Sequence, residues 1–301
     1  MTRMMMVVSW LVLATGISSA QESAVPKLTG PYLGQKPPET TPEVFAPGIV
    51  SRDGGQYELL MASDHHEIIF CERESAHNTF RLISITSTDG QWSAPTAIPF
   101  SLDYINNEPT LSPDGKRLFF VSNRPIPPNK EAEKLPDIWV SEKVDGRWGE
   151  PRNVGAPVNT PDIEVQPYCP SDSILYFCRQ AEGVRGIYQA SFAQGRFSSP
   201  VLLDLDTALG RISGPCISPD NTTLIVHAMV ESGANNWDLF VSFRDRAGKW
   251  GKFVSVGASI NTEKGESDAT FSPDGKYLFF TREGDIYWVA ASVIEASRPM
   301  K

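Results

Sequence analysis

Four histidines and four cysteines are all that this 301-residue chain offers to chemistry built on those side chains. No Cys-x-x-Cys pair occurs, which argues against a thiolate zinc site. Also missing are a Gly-x-Ser-x-Gly elbow, a His-Glu-x-x-His helix and a phosphate-cradling glycine loop. Basic residues are in the minority, 27 against 36 acidic, for a formal net charge of −9. That balance disfavours nucleic acid or an anionic membrane surface as a partner. Helical periodicity is absent except near the C-terminus, and beyond the first twenty residues no apolar run approaches the length of a bilayer span.

The N-terminus differs from the rest. Arg3 precedes an apolar stretch from Met4 to Ala14, and Ser18-Ser19-Ala20 puts small residues where a signal peptidase needs them. We expect export to the periplasm or the medium, cleavage after Ala20 and no membrane insertion. No cysteine follows the cut, so a lipid anchor is not expected. Loss of Arg3 with the leader leaves 26 basic against 36 acidic residues. Residues 21–43, rich in Pro and Thr, read as a tether ending in a closing strand, and residues 44–301 as a single domain.

What the chain does have is a repeated phrase. Ser112-Pro113-Asp114-Gly115 followed by Leu118-Phe119-Phe120 returns as Ser272-Pro273-Asp274-Gly275 followed by Leu278-Phe279-Phe280. Weaker copies begin at Ala62, Cys169 and Ser218, giving spacings of 50, 57, 49 and 54 residues. The phrase encodes a tight turn, with Pro presetting φ and Gly taking the left-handed position, and then a buried strand. A further phrase, Asp137-Ile138-Trp139-Val140, Asp238-Leu239-Phe240-Val241 and Asp285-Ile286-Tyr287-Trp288, reads as a third strand. Asp89-Gly90-Gln91-Trp92 and Asp145-Gly146-Arg147-Trp148 then close a hairpin into a fourth strand.

Four short antiparallel strands per unit of about 50 residues make a β-propeller blade. The chain is read as an all-β, five-bladed propeller of four-stranded blades, with a sixth blade hidden in residues 22–57 as the alternative. The fifth unit ends after its third strand, so an N-terminal segment must supply the fourth. Gly30-Pro31-Tyr32-Leu33-Gly34 resembles the end of a fourth strand and is the expected closure, which leaves no open sheet edge.

Few residues stand out as chemistry. Cys71 and Cys178 share one repeat position on different blades, while Cys169 and Cys216 fall near first strands of adjacent blades. The simplest reading makes all four buried thiols. His65-His66 occupies a turn slot, His77 a loop, and His227 a buried strand where it reads as a satisfied core residue. Trp92, Trp148 and Trp250 recur in register, as packing residues do.

Charges near one end of the strands are more informative. Carboxylates recur before the first strand at Glu58, Glu108, Glu164, and Glu266 with Asp268, and basic residues follow the second strand at Arg73, Arg124, Arg179 and Arg282. Both sets belong to the face where a channel opens. One reading pairs acid with arginine to tie blades together through bidentate hydrogen bonds. The other gives a subset of them to a ligand. An insertion from Asn123 to Pro136, with Pro125, Pro127, Pro128 and the charged run Lys130-Glu131-Ala132-Glu133-Lys134, lies on the same face, where recognition loops are built.

Together, Ser-Pro-Asp-Gly-Lys, Leu-Phe-Phe and Asp-Ile-Trp-Val resemble the WD-repeat-like propeller repeats of the TolB type, over about residues 43 to 290. The resemblance implies a rigid periplasmic or secreted scaffold that binds proteins or other ligands at a propeller face. We expect the chain to depart from TolB in having no extra N-terminal domain, and from propeller peptidases in having no hydrolase domain. The leading expectation is a noncatalytic, monomeric binding module for a protein or glycan of the cell envelope, with no cofactor. The alternative is a metal-assisted hydrolase or lyase acting on sugars or lactones, with Ca²⁺ as the ion a carboxylate ring would hold.

Overall fold

A computed structural model describes residues 28–74, 79–126, 135–181, 184–206, 208–229 and 237–299. The architecture is a five-bladed β-propeller of antiparallel sheets, as the repeat requires. First strands are Gln56–Met61, Asn106–Leu111, Ile163–Ser171, Ile212–Ile217 and Glu266–Phe271 in blades 1 to 5. Each contacts the first strands of both neighbouring blades, including blade 5 against blade 1, so the ring is closed around a central shaft. Second strands, Glu67–Glu74, Arg117–Ser122, Ile174–Ala181, Thr223–Met229 and Tyr277–Arg282, are almost continuously buried because blades cover them on both faces.

The repeated phrase makes the turn it encodes. Ser112 Oγ donates to Asp114 (2.6 Å), and Gly115 takes φ 68°; Ser272, Asp274 and Gly275 repeat this at 2.7 Å and φ 70°. His65 and Asn221 hold the same left-handed place in the degenerate copies. The aromatic fourth-strand phrases form two-residue ladders such as Gln91–Trp92 and Arg147–Trp148. A second short piece resumes after Pro95, Pro151 or Pro200, since proline cannot donate to the ladder.

Closure is N-terminal, but by a different segment from the one expected. Glu43–Val44 pairs with Trp288 and Tyr287 of blade 5. Residues Pro31–Gly34 instead form a tight turn in which Tyr32 and Leu33 are left-handed and buried. The reason lies in the apolar side chains that follow each stretch. Phe45, next to the strand, sits edge-on to Phe279 and Trp288, and Tyr32 packs on Trp288 and Tyr277 from the turn. Upstream, Thr29 bridges Gln91, and Trp92 Nε1 donates to Gly30 O (2.8 Å). The N-terminal segment therefore touches blade 1 and blade 5, sealing the seam between first and last repeats.

All four cysteines are free and buried, with Cys71 and Cys178 on second strands of different blades. Among the described residues no helix is long and apolar enough to cross a membrane.

Candidate functional site in the central shaft

Each first strand carries a bulge at the same place. The register slips between Tyr57 and Leu60, Asn107 and Thr110, Val165 and Tyr168, Ser213 and Cys216, and Ser267 and Thr270. The residues within the slips, Glu58, Glu108, Gln166, Gly214 and Asp268, have φ between 48° and 60°. A left-handed non-glycine residue costs on the order of 1 kcal/mol, so four of these five positions hold strain that the ring must offset. The bulge frees a backbone N–H, and a neighbouring blade accepts it. Gln166 N donates to Glu108 Oε2 (2.7 Å), Gly214 N to Gln166 Oε1 (2.8 Å), Asp268 N to His227 Nδ1 (3.3 Å) and Glu58 N to Thr281 Oγ1 (3.3 Å).

This register divides the expected acids into two groups. Glu164 and Glu266 stand two residues before the bulge, fully buried. Arg179 Nε donates to Glu164 and Arg282 Nε to Glu266, each at 2.7 Å. Each carboxylate also accepts from the N–H and hydroxyl of a crossing threonine, Thr160 or Thr262. The arginines reach on to crossing-loop carbonyls, Arg179 to Val158 O and Arg282 to Ile260 O. These pairs fasten the crossings to their blades. Arg124 has no acid at that distance among the described residues. It donates to Asn106 Oδ1 (2.7 Å) and Phe100 O (3.1 Å), and lies over the rings of Phe120 and Trp139. In blade 1 the slot is Gln56 opposite Glu72, which takes Arg52, while Arg73 is the last residue but one of the second strand.

Glu58, Glu108 and Asp268 form the second group, on three consecutive blades around the ring. None of them has an ion pair among the described residues, and the Glu58 carboxylate has no hydrogen bond there either. They are half-buried, as the lining of a narrow shaft must be. Burial, then the nearby Asp268 and Glu108, pushes the Glu58 carboxyl well above its ordinary range. Glu108 is raised to about 7, chiefly by burial; the Gln166 N–H and the charge of Arg185 hold it down, and Asp268 pushes it up.

His227 joins this group, a role that its placement on an apolar strand did not signal. It is buried, and burial lowers it to about 4, so the ring is neutral. Asp268 N and the Gln166 amide nitrogen (3.2 Å) are both donors facing the ring nitrogens, one of which a neutral ring accepts and an imidazolium could not. Gly214 makes room for it, since a Cβ there would meet the His227 ring at 2.6 Å. Ser213 Oγ donates to Gln166 Oε1 and completes the network. The signal for Gln166 was its register with Glu108, one residue shifted in blade 3. Of the other histidines, His65 contacts Met61 in its turn, and His77 lies outside the described residues, as do residues 127–134 of the blade 2 insertion.

No family model matches the chain, and no curated protein does. Solved structures do. An α-L-arabinofuranosidase catalytic domain from Coprinopsis cinerea aligns at TM-score 0.54 and 10% identity, over 84% of this chain and 97% of that one. The α-L-arabinofuranosidase PaAbf62A from Podospora anserina, in complex with cellotriose, aligns at TM-score 0.52 and 12% identity, over 83% and 93%. TolB from Acinetobacter baumannii aligns at TM-score 0.50 and 14% identity over 80% of this chain, which spans 55% of that protein's length. At such identities the likeness is one of fold.

Proposed function

We propose that the chain is an exported, noncatalytic binding module of the TolB-like propeller kind, whose crossing face receives a protein partner and whose shaft takes a basic side chain from it. The observation that carries this reading is the convergence of Glu58, Glu108 and Asp268 without ion pairs among the described residues, where Glu164 and Glu266, two positions before the bulge, are each paired with an arginine. A partner's cation would return the raised carboxyls to their charged form, so binding energy and ionisation are coupled. The same face displays the exposed Leu102, Ile105 and Leu135 at blade 2 and Met229 at the end of the second strand of blade 4. An apolar rim around a charged socket is the usual makeup of a recognition surface. The leader sequence supports export, and the excess of acid supports a basic partner.

The alternative, a metal-assisted hydrolase or lyase on sugars or lactones, needs donors that converge on one ion. Among the described residues no group of three His, Cys, Asp or Glu side chains is placed to hold one. Crosslinked capture from the native envelope tests the proposal, with wild type compared against Glu108→Gln and Leu135→Asp. Loss of one captured protein in both variants at unchanged melting temperature is the expected result. Equal capture by all three proteins, capture of glycan alone, or a stoichiometric divalent ion in the purified protein would overturn it.

A further inference from the structure

The shaft has a second end, on the face of the repeated turns, and its chemistry is different. There a cavity of about 250 Å³ is enclosed by the ends of the first strands and the turns that follow them. For scale, an engineered apolar cavity of about 150 Å³ holds benzene. The walls mix apolar side chains, Leu60, Leu111, Ile217, Phe271, Pro113 and Pro273 among them, with polar groups, and the exposed Ser63, Pro113 and Pro219 place its mouth at the surface.

The polar groups in these walls are almost all engaged by the protein itself. Tyr168 OH donates to Ile217 O (2.6 Å), Thr270 Oγ1 donates to Leu59 O, and Thr110 Oγ1 accepts from Cys169 N (3.3 Å). Ser112 and Ser272 give their hydroxyls to Asp114 and Asp274 of the turns. The exception is Glu58, the one bulge residue that reaches this cavity and the one charged residue lining it, with a carboxylate that no described residue pairs.

We propose that this cavity binds a small primary ammonium with an apolar body, the ammonium on Glu58 and the body against the ring of leucine, isoleucine, phenylalanine and proline. Glu58 is the one carboxylate that lines the chamber, and a lone anionic anchor beside apolar side chains selects for one charge and one orientation. The raised Glu58 carboxyl is the free-state sign of the same imbalance, which a bound cation removes. The cavity shares Glu58 with the socket proposed above but not Glu108 or Asp268, and an ammonium can occupy it with no protein on the crossing face.

Calorimetric titration of the full chain with 2-phenylethylammonium chloride, and with the neutral near-isostere 2-phenylethanol, tests it. Saturable one-site binding of the ammonium is expected with Kd on the order of 1 mM or tighter. The alcohol should bind at least about tenfold more weakly, and Glu58→Gln should weaken the ammonium by a similar factor. Leu111→Trp, which fills the chamber from a partly exposed position, should abolish binding of both, and it decides the matter with the alcohol comparison if Glu58→Gln does not fold. Absence of saturation by about 10 mM ammonium, equal binding of the alcohol, or unchanged affinity in Glu58→Gln or Leu111→Trp would each overturn the proposal. No protein partner is present in this titration, so its failure and that of envelope capture are separate results.

Discussion

Two residues apart on the first strand of blade 5, the propeller carries acids of opposite character. Glu266 is fully buried, pairs with Arg282 at 2.7 Å and accepts from Thr262; Asp268, just beyond it, turns left-handed into the shaft without an ion pair. Glu164 repeats the first environment in blade 3, and Glu58 and Glu108 repeat the second in blades 1 and 2. The difference shows that the fold allots one strand register to fastening its own loops and another to the shaft. The bulge separates them, because an extra residue re-aims the side chain that carries it.

Breaking the first environment should have the largest effect. Arg282→Ala leaves the Glu266 carboxylate buried and unpaired, removes the donor to Ile260 O and strips the cation from the rings of Phe280 and Tyr287. A loss of about 3 to 5 kcal/mol in denaturant unfolding is expected, because removing one partner strands the other charge in a dry site. A loss under about 1 kcal/mol would mean that the pair is hydrated, and the division between the two registers would fail.

The second environment should answer with the opposite sign. Glu108 in the folded state has a value of about 7 against an ordinary 4.5, so between those values the native protein holds a proton that the unfolded chain has lost. Its contribution to stability falls as pH rises through that window and is constant below it. Glu108→Gln keeps an oxygen to accept from Gln166 N but cannot ionise. It should be more stable than wild type by about 1 to 2 kcal/mol at pH 8, after allowance for the half-exposed site, and equal to wild type at pH 4.5. Melting curves at the two pH values measure this. A variant less stable at pH 8 would show that Glu108 is fastened like Glu266.

This contrast explains how far the residues alone could be read. The fold was legible because Ser112-Pro113-Asp114-Gly115 and Asp145-Gly146 encode their turns locally, and Leu118-Phe119-Phe120 encodes a strand buried on both faces. The closing strand was less so, since Glu43–Val44 is two residues long and is chosen by Phe45 packing on Trp288, a contact made across the whole chain. At the site, Glu58, Glu108, Glu164, Glu266 and Asp268 were identified as one ring of acids because all precede the turn phrase. The bulge that parts them leaves no residue-type signature: Glu, Gln, Gly and Asp all occupy it. Counting back from the phrase would have parted Glu266 from Asp268, but blade 3, shifted by one residue, hides the rule. Arg124 was misleading for a related reason, since Asn106 replaces the acid that its position implies.

Bond length alone does not rank these interactions, and blade 5 offers the control. Lys264 Nζ lies 2.6 Å from Glu283, as short as the Arg282–Glu266 contact, yet both side chains are more than half exposed, against 11% and 0% for the buried pair. Water solvates the exposed charges before and after the bond forms, salt screens what attraction is left, and ordering two long side chains offsets the remainder. Lys264→Ala should therefore leave the melting temperature within error of wild type in 0.15 M salt, in the same assay that registers a collapse for Arg282→Ala. A clear drop for Lys264→Ala would place the energetic weight in the surface pairs that frame the crossing loops, and the buried carboxylates would lose their claim to hold the ring's joints.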